Sequence, residues 1–238
     1  MATTLFISDL HLDACRPATT RALAAFLGRQ RRCAQLFILG DLFEAWLGDD
    51  DDSPLVAEVA AMLREFTAAG PRLGIMVGNR DFLLGPGFCE RAGARLLPDP
   101  TVIDLYGEPT LLMHGDSLCT ADADYQAFRR QVRDPDWQAQ LLRQPLARRR
   151  DLAAELRARS RDANSMKSTD IMDVTEAEVE RQMRRHGVGQ LIHGHTHRPA
   201  RHEAAAGLRW VLGAWEENGW FISASPEGVS LHSFPIIQ

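Results

Sequence analysis

The sequence predicts an α/β fold, a central mixed sheet flanked by helices, with a helical insertion over one edge of it. Three observations carry that prediction. Short apolar runs recur and each ends in polar residues, helix-period segments lie between the first of them, and one long arginine-rich stretch without a strand pattern interrupts the alternation.

In chain order, residues 4–7 and 35–39 are short apolar runs of strand length, followed by similar runs at 73–77, 110–113 and 190–192. Between the first of these, residues 19–32 and 54–69 place apolar side chains three and four apart, the spacing of a helix with one buried face. Strand–helix–strand repetition of this kind builds parallel strands covered by helices. Residues 208–212, 220–224 and 228–234 are strand-like again, with Glu217-Asn218-Gly219 and Ser225-Pro226-Glu227-Gly228 as turn residues between them, so antiparallel hairpins are expected to close the fold. Thr175 with Glu178 reads as a capping box opening a helix that ends at Gly187.

At 238 residues the chain is expected to form one domain, 1–238, with residues 121–167 as an insertion within it. That insertion interleaves Arg129, Arg130, Arg133, Arg143, Arg148, Arg149, Arg150, Arg157, Arg159 and Arg161 with Tyr125, Phe128, Trp137, Leu141, Leu152 and Leu156, an amphipathic and locally basic helical pattern. It is either a solvated helical surface or a lid whose apolar face receives a ligand while its arginines meet phosphate or anionic headgroups.

A net charge of −5 argues against wholesale nucleic-acid binding. Cys15, Cys33, Cys89 and Cys119 are scattered without a Cys-x-x-Cys pair, as in a reduced chain that uses cysteine as a small buried hydrophobe. The first residues carry no basic region or long apolar stretch, so no signal peptide is expected. No run approaches the roughly 20 apolar residues of a spanning helix, so contact with a membrane would be from its surface.

The chemistry-bearing residues cluster just after the strand-like runs: Asp9-Leu10-His11, Gly40-Asp41, Gly78-Asn79-Arg80-Asp81, His114-Gly115-Asp116 and Gly194-His195-Thr196-His197. In an open parallel sheet the carboxyl ends of the strands share one edge, where ligands bind. Asp-x-His and His-x-His put two donors on the same side of an extended segment, and the glycines before Asp41, Asn79 and His195 free the backbone for sharp turns. Carboxylate, imidazole and amide donors together suit Mn²⁺, Fe²⁺ or Zn²⁺. Seven such donors exceed the needs of one ion and fit two ions that share a carboxylate, the pair standing roughly 3.5–4 Å apart. The run Asp49-Asp50-Asp51-Asp52 before Ser53-Pro54 is either a further cation site or a solvated loop at a helix start, and the loop is the expected reading. His186, His202 and His232 have no motif around them and are expected at the surface, whereas His193 is expected to be structural.

Asp9-x-His11, Gly40-Asp41, Gly78-Asn79, His114-Gly115 and Gly194-His195-x-His197 resemble the metal motifs of calcineurin-like metallophosphoesterases, over most of the chain. Phe6-Ile7-Ser8-Asp9-Leu10-His11-Leu12, Leu39-Gly40-Asp41-Leu42-Phe43-Glu44-Ala45-Trp46, Gly78-Asn79-Arg80-Asp81-Phe82, Asn164-Ser165-x-Lys167 and His193-Gly194-His195-Thr196-His197-Arg198-Pro199 are similar to the branch of that family acting on an acylated UDP-glucosamine in Gram-negative lipid A synthesis. The resemblance implies a sandwich of mixed sheets flanked by helices and two Mn²⁺ ions per chain. One ion would take Asp9, His11 and His197, the other Asn79, His114 and His195, with Asp41 bridging them. It implies catalytic roles for Asp41, Arg80, His114 and His195, and substrate contacts from Asn79, Arg80, Asp122, Ser160, Asn164, Lys167 and His195. The implied reaction is attack of metal-bound hydroxide on the α-phosphorus of the UDP moiety, giving UMP and a diacylglucosamine 1-phosphate. The implied setting is cytoplasmic, peripheral to the anionic inner face of the inner membrane, with no nucleic-acid partner or obligate protein partner. A dinucleoside polyphosphatase or a protein phosphatase of the same fold remains the alternative, and a non-catalytic scaffold would be expected to lack several of these ligands.

Independently of the family, Ser160, Asn164 and Lys167 fall at helical spacing on one face. Arg80 stands where many relatives carry histidine after Gly-Asn. Arginine, with a pKa above about 12, cannot protonate an alkoxide, but a phosphomonoester leaving group, with a second pKa of about 6, needs little protonation. Arg80 is therefore expected to favour pyrophosphates over simple esters by gripping phosphate oxygens.

Overall fold

A computed structural model describes residues 3–165 and 173–237, the side chains of 158–165 excepted. Its strands form two sheets, the sandwich that the resemblance implied, where strand pattern alone suggested one sheet. In the first, β1 (Thr4–Ile7), β2 (Gln35–Leu39), β3 (Arg72–Met76) and β4 (Arg95–Leu97) run parallel, and β10 (Asn218–Ser225) and β11 (Gly228–Pro235) extend it antiparallel beyond β1, in the order β11-β10-β1-β2-β3-β4. In the second, β6 (Glu108–Met113), β7 (Gln190–His193) and β9 (Gly207–Val211) are parallel. Antiparallel β5 (Thr101–Leu105) and β8 (Ala200–Ala204) edge it, in the order β5-β6-β7-β9-β8.

The two-residue period of a strand explains why there are two sheets. Along β1 and β2, Leu5, Ile7, Leu36 and Ile38 point one way, into a cluster with Leu23, Phe26 and Leu27 of α1 (Pro17–Arg29) and Val59, Leu63 and Phe66 of α2 (Pro54–Ala68). Phe6, Phe37 and Leu39 point the other way and meet Leu112, Ile192, Trp210 and Leu212 from the second sheet. Apolar on both faces, these strands need a helical layer on one side and a second sheet on the other. Phe6 and Phe37 stack at 5.3 Å in the seam, and each such fully buried side chain contributes about 1.5–3 kcal/mol. The outer face of the second sheet, through Leu111, Met113 and Leu191, packs on Val179 and Met183 of α7 (Glu176–His186). The layers thus run helix, sheet, sheet, helix, with α3 (Pro86–Ala92) beside α2.

Three local expectations differ from the structure. The strand-like runs at 208–212 and 220–224 do not pair as a hairpin: β9 lies in the second sheet and β10 in the first, where β10 pairs with β1. The helix after Thr175 begins there and ends at Gly187 (φ +64°), but no capping box forms; Thr175 accepts from Thr120 Oγ1 at 2.8 Å and Glu178 bonds Arg181 and Gln182 instead. Cys15 is exposed, whereas Cys33, Cys89 and Cys119 are buried.

Residues 123–165 form three helices, α4 (Ala123–Val132), α5 (Pro135–Leu142) and α6 (Leu146–Ser165). They are fastened by charge. Arg149, only 4% exposed, forms a two-point pair with Asp50 and also donates to the carbonyls of Leu47 and Gln144, while Arg150 pairs with Asp52 at 2.8 Å and Arg157 with Asp13 at 3.6 Å. The acidic run is the loop before α2 that was expected, with Asp50 and Asp52 largely exposed, and it also makes specific contacts. Asp50 and Asp52 grip the insertion, and Asp49 accepts from the backbone N–H groups of Gly85 and Gly87 at the start of α3 (3.0 and 2.7 Å).

Candidate metal centre

The loops after β1, β2, β3, β6 and β7 converge on one rim, tied by backbone bonds that cross between them. Asp9 N–H donates to Gly40 O (3.1 Å), His11 N–H to Asp41 O (3.0 Å), Gly194 N–H to His114 O (2.8 Å) and Trp215 N–H to Asp9 O (3.0 Å). Asp9, His11, Asp41, His195 and His197 all have positive φ, between 49° and 69°. That conformation is uncommon for side-chain-bearing residues, least so for Asp, Asn and His. Each such residue stores about 1–3 kcal/mol of strain, held only where its surroundings dictate the conformation.

Glycine serves this site in two ways. Gly40 (φ +89°) makes the turn expected of it. Gly78 does not have positive φ; it is required because a Cβ there would collide with the carboxylate and backbone nitrogen of Asp41.

All seven expected donors reach the rim. His11 Nε2 and His197 Nε2 are 3.3 Å apart, and His197 Nε2 is 3.4 Å from Asp9 Oδ1. Across the site Asn79 Oδ1 lies 2.9 Å from both His114 Nε2 and His195 Nδ1. Asp41 stands between, with Oδ2 3.9 Å from His11 Nε2 and Oδ1 3.8 Å from His114 Nε2. The groups Asp9–His11–His197 and Asp9–Asp41–His114 each bring donor atoms within 4.8 Å of one another.

This donor set fits divalent cations. Two buried carboxylates face imidazole nitrogens, and the negative field is strong: burial alone would lower the pKa of His114, yet Asp41, Asp116 and Asp9 raise it to about 9. A field that draws a proton onto His114 favours a bound divalent ion in its place. His195 is pushed the other way, to about 4, by burial and the neighbouring His114 charge, which leaves its ring neutral and open to a ligand. Burial works against the charge of Asp9 too, but its bond to His197 and the surrounding histidines hold its pKa far below the usual carboxylate range.

Two residues that hold the site stood inside the quoted motifs without a role assigned to them. Asp81, fully buried, accepts from the backbone N–H groups of Gly78 (2.6 Å), Leu42 (2.8 Å) and Asp41 (3.3 Å); burial and the Asp41 charge raise its pKa to about 6. Glu44 lies 3.3 Å from His11 Nδ1 and 3.8 Å from the Arg80 guanidinium. Spacing along the sequence could have singled out both, Asp81 three residues beyond Gly78 and Glu44 three beyond Asp41. Buried His193 lies behind the rim, with Nδ1 2.8 Å from Gly194 O. His202 and His232 are exposed and His186 half-buried.

Of the expected substrate contacts, Arg80 and Asn79 line a cavity of about 600 Å³ that begins at this rim. Asp122, whose side chain accepts from Tyr125 N–H at 3.1 Å, caps α4. Lys167 and the side chains of Ser160 and Asn164 lie outside the described residues. The cavity's apolar walls include Trp46, Leu83, Phe128, Trp137, Leu141 and Leu152, from the core and from the insertion, with Glu44, Asp124, Arg149 and Arg157 also lining it. A larger groove of about 700 Å³ runs between α1 and β11, but no candidate ligand lines it.

A rim of histidines, carboxylates and one asparagine at strand ends, in a two-sheet sandwich with helices outside, defines a metal-dependent phosphoesterase. The calcineurin-like phosphoesterase family model matches residues 2–199, and the chain belongs to that family. A Cellvibrio japonicus relative named UDP-2,3-diacylglucosamine hydrolase is 57% identical, covering 98% of this chain and 99% of its own length. A Pseudomonas aeruginosa protein of the same name (strain UCBPP-PA14) is 52% identical over 98% of this chain and 99% of its own. Among solved structures, an archaeal phosphodiesterase aligns with TM-score 0.51 at 11% identity, covering 98% of this chain and 99% of that one, a likeness of fold.

Proposed function

We propose that this chain hydrolyses the pyrophosphate bond of UDP-2,3-diacylglucosamine, releasing UMP and 2,3-diacylglucosamine 1-phosphate in lipid A synthesis. The observation that carries this reading is the apolar cavity opening onto Asn79 and Arg80 at the rim of the donor cluster. A substrate with acyl chains at one end and a pyrophosphate at the other matches that polarity, and the relatives' name agrees with it.

In this reading Asp9, His11 and His197 would hold one Mn²⁺ ion and Asn79, His114 and His195 a second, with Asp41 available to both. Bound there, such ions supply charge against the phosphate oxygens and an activated water. The chain's own residues do the rest. Leu39 O holds His114 Nδ1 at 2.9 Å, which leaves Nε2 facing the site. Arg80 stands between cavity and cluster, with its backbone N–H on Asp41 Oδ1 (2.8 Å) and its guanidinium, 3.8 Å from Glu44, placed to grip phosphate oxygens in a fork. The leaving group, 2,3-diacylglucosamine 1-phosphate, is a phosphomonoester and departs without needing a proton from Arg80. Residues 121–167 act as a lid over the acyl chains, and each methylene they shield contributes about 0.8 kcal/mol to binding.

No helix among the described residues is long and apolar enough to cross a membrane. Attachment to an anionic membrane surface would come from exposed arginines of the insertion such as Arg130, Arg143 and Arg148. The test of function is product analysis with Mn²⁺-loaded protein and the acylated UDP-sugar. UMP without UDP is expected. Release of UDP, or faster turnover of dinucleoside polyphosphates or phosphoproteins, would reject the reading.

A further inference from the structure

The first helix of the insertion is wired into the metal loops through buried charge. Asp116, fully buried after His114-Gly115, accepts from Tyr125 Oη (2.9 Å) and Arg129 Nε (2.8 Å), and lies 3.7 Å from Arg133 Nη2. Arg129 also approaches buried Asp99 at 3.7 Å. Tyr125 lays its ring against His195, 5.9 Å between centroids and 28° between planes. Arg133 reaches further, donating from Nη2 to the carbonyl oxygen of Gly78 at 3.0 Å and approaching that of Val77 at 3.4 Å.

Those carbonyls belong to the two residues just before Asn79. β3 ends at Met76, so no strand ladder holds this stretch, and Gly78 has the widest backbone freedom of any residue. Its peptide is instead pinned from both sides. Its N–H is held by Asp81, on its own loop, at 2.6 Å, and its C=O by a guanidinium from the insertion. The direction of that C=O fixes the next peptide plane, and hence where the Asn79 amide points.

We propose that Arg133, itself held by Asp116, is a positioning residue for the Asn79–His114–His195 half of the metal centre. α4 is then a fixed wall of the active site, not part of a freely opening flap. The inference rests on the reading of Asn79 as a metal ligand. Groups that orient metal ligands typically cost 10–100-fold in metal affinity when removed.

The test is a Mn²⁺ titration followed by electron paramagnetic resonance, on wild type, Arg133→Ala, Arg133→Lys and Arg149→Ala. Wild type is expected to bind two ions. Arg133→Ala should weaken one of them roughly 10–100-fold and leave the other unchanged. kcat should fall by more than KM rises, and added methylguanidinium should restore part of the loss. Arg133→Lys, which keeps one cationic donor, should lie between, and it carries the test should the alanine variant not fold. Arg149→Ala loosens the insertion elsewhere and should keep both ions. Two ions bound at wild-type affinity in both Arg133 variants would overturn the proposal, as would equal weakening in Arg149→Ala. A wild type that binds fewer than two ions would instead remove the dinuclear reading on which the proposal rests.

Discussion

Replacing Arg149 by alanine should release α5 and α6 without melting the core. The side chain is 3% exposed, whereas that of its partner Asp50 is 63% exposed. The charge pair is therefore the smaller part of what is lost, about 1 kcal/mol after solvent screening, because Asp50 simply rehydrates. The larger part lies in the carbonyls of Leu47 and Gln144, the latter 3.0 Å from Nε, which lose a cationic donor. Bonds to a charged donor contribute about 1.5–3 kcal/mol, and water recovers some of that. The total is about 2–4 kcal/mol. These contacts fasten the insertion and not the sheets, so the cost should appear as local opening. Amide exchange in residues 135–157 should accelerate roughly 30- to 700-fold where reclosing outpaces exchange, at a tenfold change per about 1.4 kcal/mol. KM for the acylated substrate should rise, while the melting temperature moves little. Asp50→Asn, which spares both carbonyl bonds, should cost no more than about 1 kcal/mol. Equal effects of the two variants would refute the division between ion pair and carbonyls. A Tm drop of roughly 4–16 °C, expected if the same energy came out of global stability, would refute the independence of the insertion.

Other outcomes follow from the same contacts. Asp41→Ala should abolish turnover, more than about 1,000-fold, in a protein with unchanged circular dichroism, and near-normal turnover would reject a bridging role. Arg80→His should shift the ratio of pyrophosphate to monoester turnover toward monoesters; an unchanged ratio would refute the assigned preference. Gly78→Ala should remove Mn²⁺ binding, checked by titration, because the new methyl collides with the carboxylate and backbone of Asp41. Chelation followed by dialysis should abolish turnover, and added Mn²⁺ should restore it; full activity after exhaustive chelation would remove the metal from the reaction.

The sequence exposed the site more fully than what supports it, and the reason is locality. Each donor sits within four residues of a strand end, so strand pattern and donor type appear in the same short window. Asp81 supports the site from the same loop and was within reach of the same reasoning. Glu44 and Asp116 stood inside the quoted motifs, but their partners were not visible there, and Arg133 and Arg149 carried no signal beyond their charge, because their importance lies far along the chain: Arg133 meets Gly78 across 55 residues and Arg149 meets Asp50 across 99. The same blindness explains the two sheets. Asn218 and Gly219 announce a turn from local composition alone, but nothing local says that the strand they open will pair with β1 at the opposite end of the chain. The acidic run at 49–52 is the expected loop before a helix, but its fastening role was hidden for a related reason. Its partners, Arg149 and Arg150, were visible as charge and not as contacts.

Positive φ at five of the seven donors explains why the loops must be tied to one another. A lone turn would relax a left-handed aspartate or histidine toward the ordinary extended region, since each stores about 1–3 kcal/mol. Here Asp9 is held by Gly40 through its N–H, by Trp215 through its C=O, and by the His195 N–H at its carboxylate (3.0 Å), so three chain segments fix a single residue. His11 likewise bonds Asp41 O, and the loop bearing His195 is anchored by Gly194 N–H on His114 O. The ligand loops thus serve as templates for one another across the seam between the sheets. Loosening any one of them should strain its neighbours, so the donor set is expected to lose its geometry as a unit and not ligand by ligand.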